Sequence, residues 1–399
     1  MFGSENPLNL PLGYQYSAYY AGIRKTQQDD LGLIVSDKPA NAAGIFTQNR
    51  VVADPVKLSK AHLKRSRGLA RAILVNAGNA NCATRTGATV ALHCCEALAR
   101  QLKSDPEQVL PASTGVIGVE LPEQLIIDAL PHLVHGLSPR RFEDVARAIM
   151  TTDQVMKTAL QEVSTKDGPV RVAGMTKGSG MIQPRMATTL GFILTDATLL
   201  PKQLAEMLDV AAGQSYHRIS VDGDTSTNDT LLLLANGASG VEPGKKDREA
   251  IQDAVSAVAE SLAIQIARDG EGARKLISIF VSGADDSEAA AQIARAIANS
   301  PLVKTAVAGS DPNWGRIIAA AGNAGVRFNP QKVSIEVNGV LVCERGLAAD
   351  FDEAALKAQL DSAECQIRFA IRGKGKGEAR FWTCDLTEKY IEINASYRT

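Results

Sequence analysis

The chain has 399 residues, 45% hydrophobic and 22% charged, with 43 basic residues against 44 acidic ones and a formal net charge of −1. That length supports a large core or two to three packed domains, and the charge balance argues against nucleic acid or an anionic membrane as a partner. The first twenty residues lack the basic and apolar stretches of a secretory signal, no window approaches the roughly 20 apolar residues of a membrane span, and the six cysteines show no CxxC spacing. A cytoplasmic chain with reduced thiols is expected.

Apolar patterning predicts alternating strands and helices, hence α/β layers. Ala70 to Asn76 reads as a buried strand. Ala91, Cys94, Cys95, Leu98 and Leu102 share one helical face. Val109 to Val116 reads as a strand that ends in Ser113-Thr114-Gly115. Phe142, Val145, Ala146, Ile149 and Met150 mark an amphipathic helix. Leu190 to Leu194 and Leu231 to Leu234 read as buried strands, and Ile251, Val255, Val258 and Leu262 as a helix ending near Gly270. Further on, Val333 to Val337 and Val340 to Val342 flank Asn338-Gly339, the signature of a hairpin with a type I′ turn. Strand-like runs follow at Cys365 to Ile371 and Arg380 to Leu386, joined by the Gly-rich turn Gly373 to Gly377. A catalytic domain over 1–280 and a smaller α/β domain over 281–399 are expected, tightly packed together.

The five histidines form no HExxH and no convincing metal set, so no metal is expected. Neither a GxSxG elbow, a Walker A loop nor a GxGxxG fingerprint occurs. The informative stretch is Lys177-Gly-Ser-Gly-Met-Ile-Gln-Pro-Arg-Met-Ala-Thr-Thr-Leu-Gly-Phe192. Gly and Pro turn signals precede Thr188, small Ala187 sits directly before it, and a strand-like run follows. A threonine after such a turn is most often a strand-entry residue. The chemical alternative is that its Oγ attacks the Ala187 carbonyl and cuts the chain. The fragments would hold 187 and 212 residues (1–187 and 188–399). Thr188 would then carry a nucleophile and, in its α-amine of pKa near 8, a base.

Five other segments stand out. Thr114-Gly115 ends a strand with a hydroxyl and a glycine amide, a candidate oxyanion hole or an ordinary turn. Asn76 to Asn81 holds three asparagines, suited to substrate contacts or to Asx turns. Val221 to Thr230 has the composition of a calcium loop but lacks its distal Glu, and reads as a hydrogen-bonded loop near a polar site. Asp269-Gly-Glu-Gly272 ends a helix, with Glu271 a cation receptor or a solvated cap. Gly309 to Gly315 reads as a loop anchored by a buried Trp314.

In this order and spacing the segments resemble the ornithine acetyltransferases (glutamate N-acetyltransferases) of arginine biosynthesis. The resemblance rests on Lys177-Gly-Ser-Gly-Met-Ile, Met186-Ala-Thr, Thr114-Gly115, Asn76 to Asn81, Ser226-Thr-Asn-Asp229, Asp269-Gly-Glu-Gly272, Asp311-Pro-Asn-Trp-Gly-Arg316 and Asn394-Ala-Ser-Tyr-Arg-Thr399. It implies an αββα sandwich related to N-terminal-nucleophile enzymes with different connectivity. It implies self-cleavage between Ala187 and Thr188, and fragments that stay together, usually as α2β2. Thr188 is then the nucleophile, and Thr114 (hydroxyl) and Gly115 (amide) the oxyanion hole. Substrate contacts fall on Thr151 or Thr152, Lys177, Thr188, Glu271, Asn394 and Thr399. The implied reaction moves acetyl from N2-acetylornithine to glutamate, with no cofactor and with acetyl-CoA as an optional co-substrate. Three neighbours depart from the family pattern: Gln154, Thr189, and the missing proline before Lys157. The alternative readings are a self-processed aminopeptidase or amidohydrolase of similar fold, and an uncleaved, non-enzymatic ligand-binding relative.

Overall fold

The structure is a computed structural model that describes residues 9–183 and 189–396. Its first part comprises β1 (Tyr14–Tyr19), β2 (Leu31–Phe46), α1 (Asp54–Arg65), β3 (Leu69–Asn79), α2 (Gly87–Leu102), β4 (Val109–Val116), α3 (Glu123–His135) and α4 (Phe142–Ala148). It continues through β5 (Lys157–Thr165), β6 (Gly168–Lys177), β7 (Leu190–Thr195), α5 (Pro201–Gln214), β8 (Thr230–Ala235) and α6 (Lys245–Arg268). These strands hydrogen-bond in the order β4-β3-β2-β8-β7-β6-β5, with β1 also on β2.

The 16-residue β2 folds this ladder into two leaves. Its first half pairs with β1 and β3; after a register shift between Val35 and Ala40 its second half pairs with β8. Period-two alternation then gives every central strand two buried faces. Ile34, Ile73 and Val75 point inward onto Phe192, Leu194, Leu232 and Leu234 of the other leaf. Leu31, Leu33, Ala72 and Leu74 point outward, beneath Cys94, Cys95 and Leu98 of α2 and Leu130 and Leu133 of α3. On the opposite surface Ile193, Leu231 and Leu233 meet Leu204 and Leu208 of α5 and Val255, Val258 and Leu262 of α6. The result is the αββα sandwich that the family resemblance implies. All six cysteines are buried free thiols.

The second part contains β9 (Leu276–Ala284), α7 (Ser287–Ala298), α8 (Pro301–Ala308), α9 (Trp314–Gly322), β10 (Val333–Val337), β11 (Val340–Glu344) and β12 (Leu347–Ala348). It ends with α10 (Glu353–Leu360), β13 (Glu364–Ile371), β14 (Gly377–Cys384) and α11 (Glu388–Ser396). Its sheet runs β12-β11-β10-β13-β9-β14 over a separate core that includes Ile279, Val281, Ile293, Ile297, Phe369 and Phe381. Side-chain caps start its helices: Asp286 accepts from the Ala289 amide and Asn313 from the Arg316 amide. Asn338 and Gly339 both have positive φ, as the type I′ turn requires.

Several expectations shift in detail. The sheets change between α6 and β9, so the expected division at 280/281 falls inside β9, which pairs with β13 and β14 along its whole length. The last strand starts at Gly377 and stops at Cys384, because Asp385 instead accepts from the Arg274 and Lys275 amides. The Gly-rich turn joins β13 and β14, which flank β9 rather than each other. Trp314 is half-buried at the edge of the second core, not a buried anchor. Among the described residues no helix is long and apolar enough to cross a membrane.

Candidate active site

Strand register brings the site together. Parallel pairing of β3 and β4 sets Gly78 opposite Gly115. Both glycines have φ near +130°, and a β-carbon on Gly115 would collide with the Gly78 backbone. Only glycine permits that approach. Antiparallel pairing of β6 and β7 sets Lys177 opposite Leu190, two residues after Thr188. The Asx-rich loop between α5 and β8 ties the two leaves together. Asn228 Nδ2 donates to the Ala80 and Ser113 carbonyls, and Asp229 Oδ1 accepts the Thr189 amide at 3.0 Å. The residue after the expected scission position is therefore held within a short chain of contacts from Thr114.

These elements enclose a cavity of about 120 Å³. Thr114, Gly115, Thr151, Thr152, Lys177, Glu271 and Asn394 all line it, so every described residue singled out for oxyanion or substrate binding converges on one space. Ala187, Thr188 and Thr399 lie outside the described residues. Among the asparagines of Asn76 to Asn81, Asn76 bonds Ser113 Oγ, Asn79 bonds the Val119 carbonyl and Asn81 bonds the Gly87 carbonyl. They buttress the loop and do not line the cavity.

A buried ion group lies beneath the cavity. Lys157 Nζ bridges Asp153 Oδ1 at 2.6 Å and Asp269 Oδ2 at 2.5 Å. Asp153 also accepts from the Thr151 and Gly178 amides, and Asp269 from the Gln154 amide. One lysine thus organises the Thr151–Thr152 loop, the Lys177–Gly178 strand end and the helix end before Glu271. Burial alone would raise the Asp153 carboxyl, but Lys177 and Lys157 outweigh it and hold it at about 2. Burial pushes Lys177 down, partly opposed by Asp153.

The acidic side is equally well anchored. The Glu271 amide bonds the Ser179 carbonyl, and Asn394 Nδ2 of α11 donates to Glu271 Oε2 at 2.7 Å. Asp222 receives the Met181 and Ile182 amides and, at 3.3 Å, the Tyr390 hydroxyl. Burial raises the Asp222 carboxyl despite amides that favour its anion, and raises Asp229 well above the carboxylate range. Among the described residues no group of three or more His, Cys, Asp or Glu could hold a metal ion.

The sequence pattern of the ArgJ family matches residues 15–399. The chain belongs to the ArgJ family. Among its relatives is the arginine biosynthesis bifunctional protein ArgJ of Thermosynechococcus vestitus, 45% identical over 407 aligned residues, covering 97% of this chain and 96% of that one. A solved arginine biosynthesis bifunctional protein ArgJ from Bacillus halodurans is 38% identical, covers 52% of this chain and 98% of that chain, and superposes with a TM-score of 0.50. A solved ornithine acetyltransferase from Mycobacterium tuberculosis, complexed with ornithine, is 29% identical over 45% of this chain and 94% of that one, with a TM-score of 0.40.

Sequence reasoning missed part of this ArgJ site. Asp222, Asp224, Tyr390 and Gly180 also line the cavity. The two aspartates stand in the segment read as a hydrogen-bonded loop near a polar site, which this lining bears out, whereas Tyr390 carries no local signal. Gly180 is informative in space: a β-carbon there would overlap the Glu271 carboxylate. Gly180→Ala is therefore expected to displace Glu271 from Asn394 and raise KM for the cationic substrate about tenfold, the cost of one charge-assisted hydrogen bond. Steady-state kinetics check this; an unchanged KM would show that Glu271 does not set substrate affinity.

Proposed function

We propose that this ArgJ-family acetyltransferase moves an acetyl group from N2-acetylornithine to glutamate, yielding ornithine and N-acetylglutamate, after cutting its own chain between Ala187 and Thr188. The observation that carries the reading is the convergence of seven motif residues on one cavity at the mouth of β7, the strand that follows Thr188. The reach of the Bacillus halodurans chain also supports it: 52% of this chain is close to the share of a 212-residue fragment.

In maturation, Thr188 Oγ attacks the Ala187 carbonyl, the acyl group shifts from nitrogen to oxygen, and water cleaves the ester. Ala187 keeps a carboxylate and Thr188 gains a free amine. In turnover, that amine takes the Oγ proton while Oγ attacks the acetyl carbonyl. Thr114 and Gly115 stabilise the tetrahedral oxyanion. Ornithine departs with the proton, leaving acetyl-Thr188. The glutamate amine then attacks this ester, and its proton returns to Oγ. Glu271 suits the side-chain ammonium of ornithine, and Lys177 a substrate carboxylate. The contacts of α11 help exclude water that would otherwise hydrolyse the ester.

The fragments are proposed to remain associated as α2β2, in the cytoplasm, with no cofactor and with acetyl-CoA as a second acetyl donor. The test is incubation of the purified protein with N2-acetylornithine and glutamate, beside a denaturing gel. Formation of N-acetylglutamate and two bands are expected. Release of acetate without N-acetylglutamate would favour the amidohydrolase reading, and a single inactive band the non-enzymatic one.

A further inference from the structure

We infer that Lys177 is a positioning residue of the oxyanion hole, acting through the Thr114 hydroxyl in addition to any contact with substrate. The inference rests on the acetyl-transfer reading above and deepens it.

Lys177 Nζ lies 3.3 Å from Thr114 Oγ, and both are buried at the cavity wall. An ammonium carries donors only, so Thr114 Oγ must be the acceptor in this bond. The hydroxyl hydrogen is thereby turned away from Lys177. Among the described residues no acceptor for it is recorded, while the cavity lies alongside. A donor hydrogen aimed at an empty space is what a developing oxyanion needs. The bond also polarises the hydroxyl, because a cation on its oxygen makes its hydrogen a stronger donor.

The position of the ammonium is enforced. Lys177 ends β6, paired with Leu190, and the next amide, Gly178 N–H, is held by Asp153 at 2.7 Å. Asp153 is fixed in turn by Lys157 and the Thr151 amide. Among the described residues the charges of Asp153, Lys157, Glu271 and Arg24 act on Lys177, and Lys177 in turn acts on the buried Asp229. The Asp153 carboxylate partly opposes the burial that lowers the Lys177 ammonium. A lysine that served only as counterion to a substrate carboxylate would need no bond to the oxyanion donor.

The two roles separate in kinetics. A counterion acts on KM; an oxyanion element acts on kcat. The experiment is a double-mutant cycle of Lys177→Met and Thr114→Ala, with KM and kcat for N2-acetylornithine, the gel pattern and Tm recorded for each protein. Lys177→Met is expected to lower kcat about 10- to 100-fold with KM changed less than about threefold. In the Thr114→Ala background the same change should cost less than about threefold more, since its target is gone. Lys177→Arg should recover most of the lost kcat. Additive losses in the cycle, or a raised KM with kcat unchanged, overturn the inference. An uncut methionine variant moves the test to Lys177→Arg: a cut, active arginine variant with KM unchanged supports the role, and an uncut or inactive one overturns it. Wild-type protein that makes no N-acetylglutamate would instead remove the acetyl-transfer reading on which the inference stands.

Discussion

Thr188→Ala is expected to leave a single 399-residue polypeptide with no acetyl transfer. Both losses have one cause under the proposed mechanism, in which the same Oγ attacks the Ala187 carbonyl once and the acetyl carbonyl at every turnover. The described flanks of this position are anchored. Upstream, Asp222 holds the Met181 and Ile182 amides; downstream, Asp229 holds the Thr189 amide and the Thr230 amide bonds the Thr189 carbonyl. One loop therefore anchors the chain on both sides of the proposed scission position. Removing the hydroxyl should leave those anchors and the Tm in place. Thr188→Ser should still be cut and should retain transfer at a reduced rate, since a primary hydroxyl can do the same chemistry. Mass spectrometry of the wild type with N2-acetylornithine and no acceptor should find an acetyl group on the peptide that begins at Thr188. Two bands from the alanine variant would show that another residue makes the cut.

Gly115→Ala is expected to lower kcat by roughly 10²- to 10³-fold, the range for loss of one oxyanion donor. The cause is steric. Gly115 has φ of +132° and packs on the Gly78 backbone across β3 and β4, so an added methyl pushes the strand ends apart. That shift moves the Gly115 amide, and with it Thr114 and the Asn228 contact to Ser113. Because backbone rather than a flexible side chain blocks the methyl, little local relaxation is available. The Tm of the variant and Thr114→Ala, which deletes only the hydroxyl, separate lost catalysis from lost folding. Near-normal kcat in both variants would place the oxyanion hole elsewhere.

The site was legible wherever chemistry sits in short, ordered motifs. Thr114-Gly115, Lys177, Glu271 and Asn394 were found that way, and all reach one cavity. Tyr390 was not legible, because a helical tyrosine looks alike whether it faces solvent or a carboxylate 168 positions away. The Lys157 bridge was equally hidden. Its partners Asp153 and Asp269 stand at sequence distances of 4 and 112, and only the second resembles nothing local. The three asparagines of Asn76 to Asn81 left substrate contact and loop buttressing both open in the sequence, and their bonds within the fold match the second.

By itself, the sequence determined the alternation of strands and helices, the hairpin at Asn338-Gly339 and the candidate nucleophile, because periodicity, turn chemistry and motif spacing are local properties of the chain. Tertiary structure decided what no local pattern encodes. The bend in β2 divides one ladder into two leaves and aligns β4 with β7. The sheet boundary falls at β9 because pairing partners, not composition, define it. The bond from Lys177 to the Thr114 hydroxyl joins residues 63 positions apart.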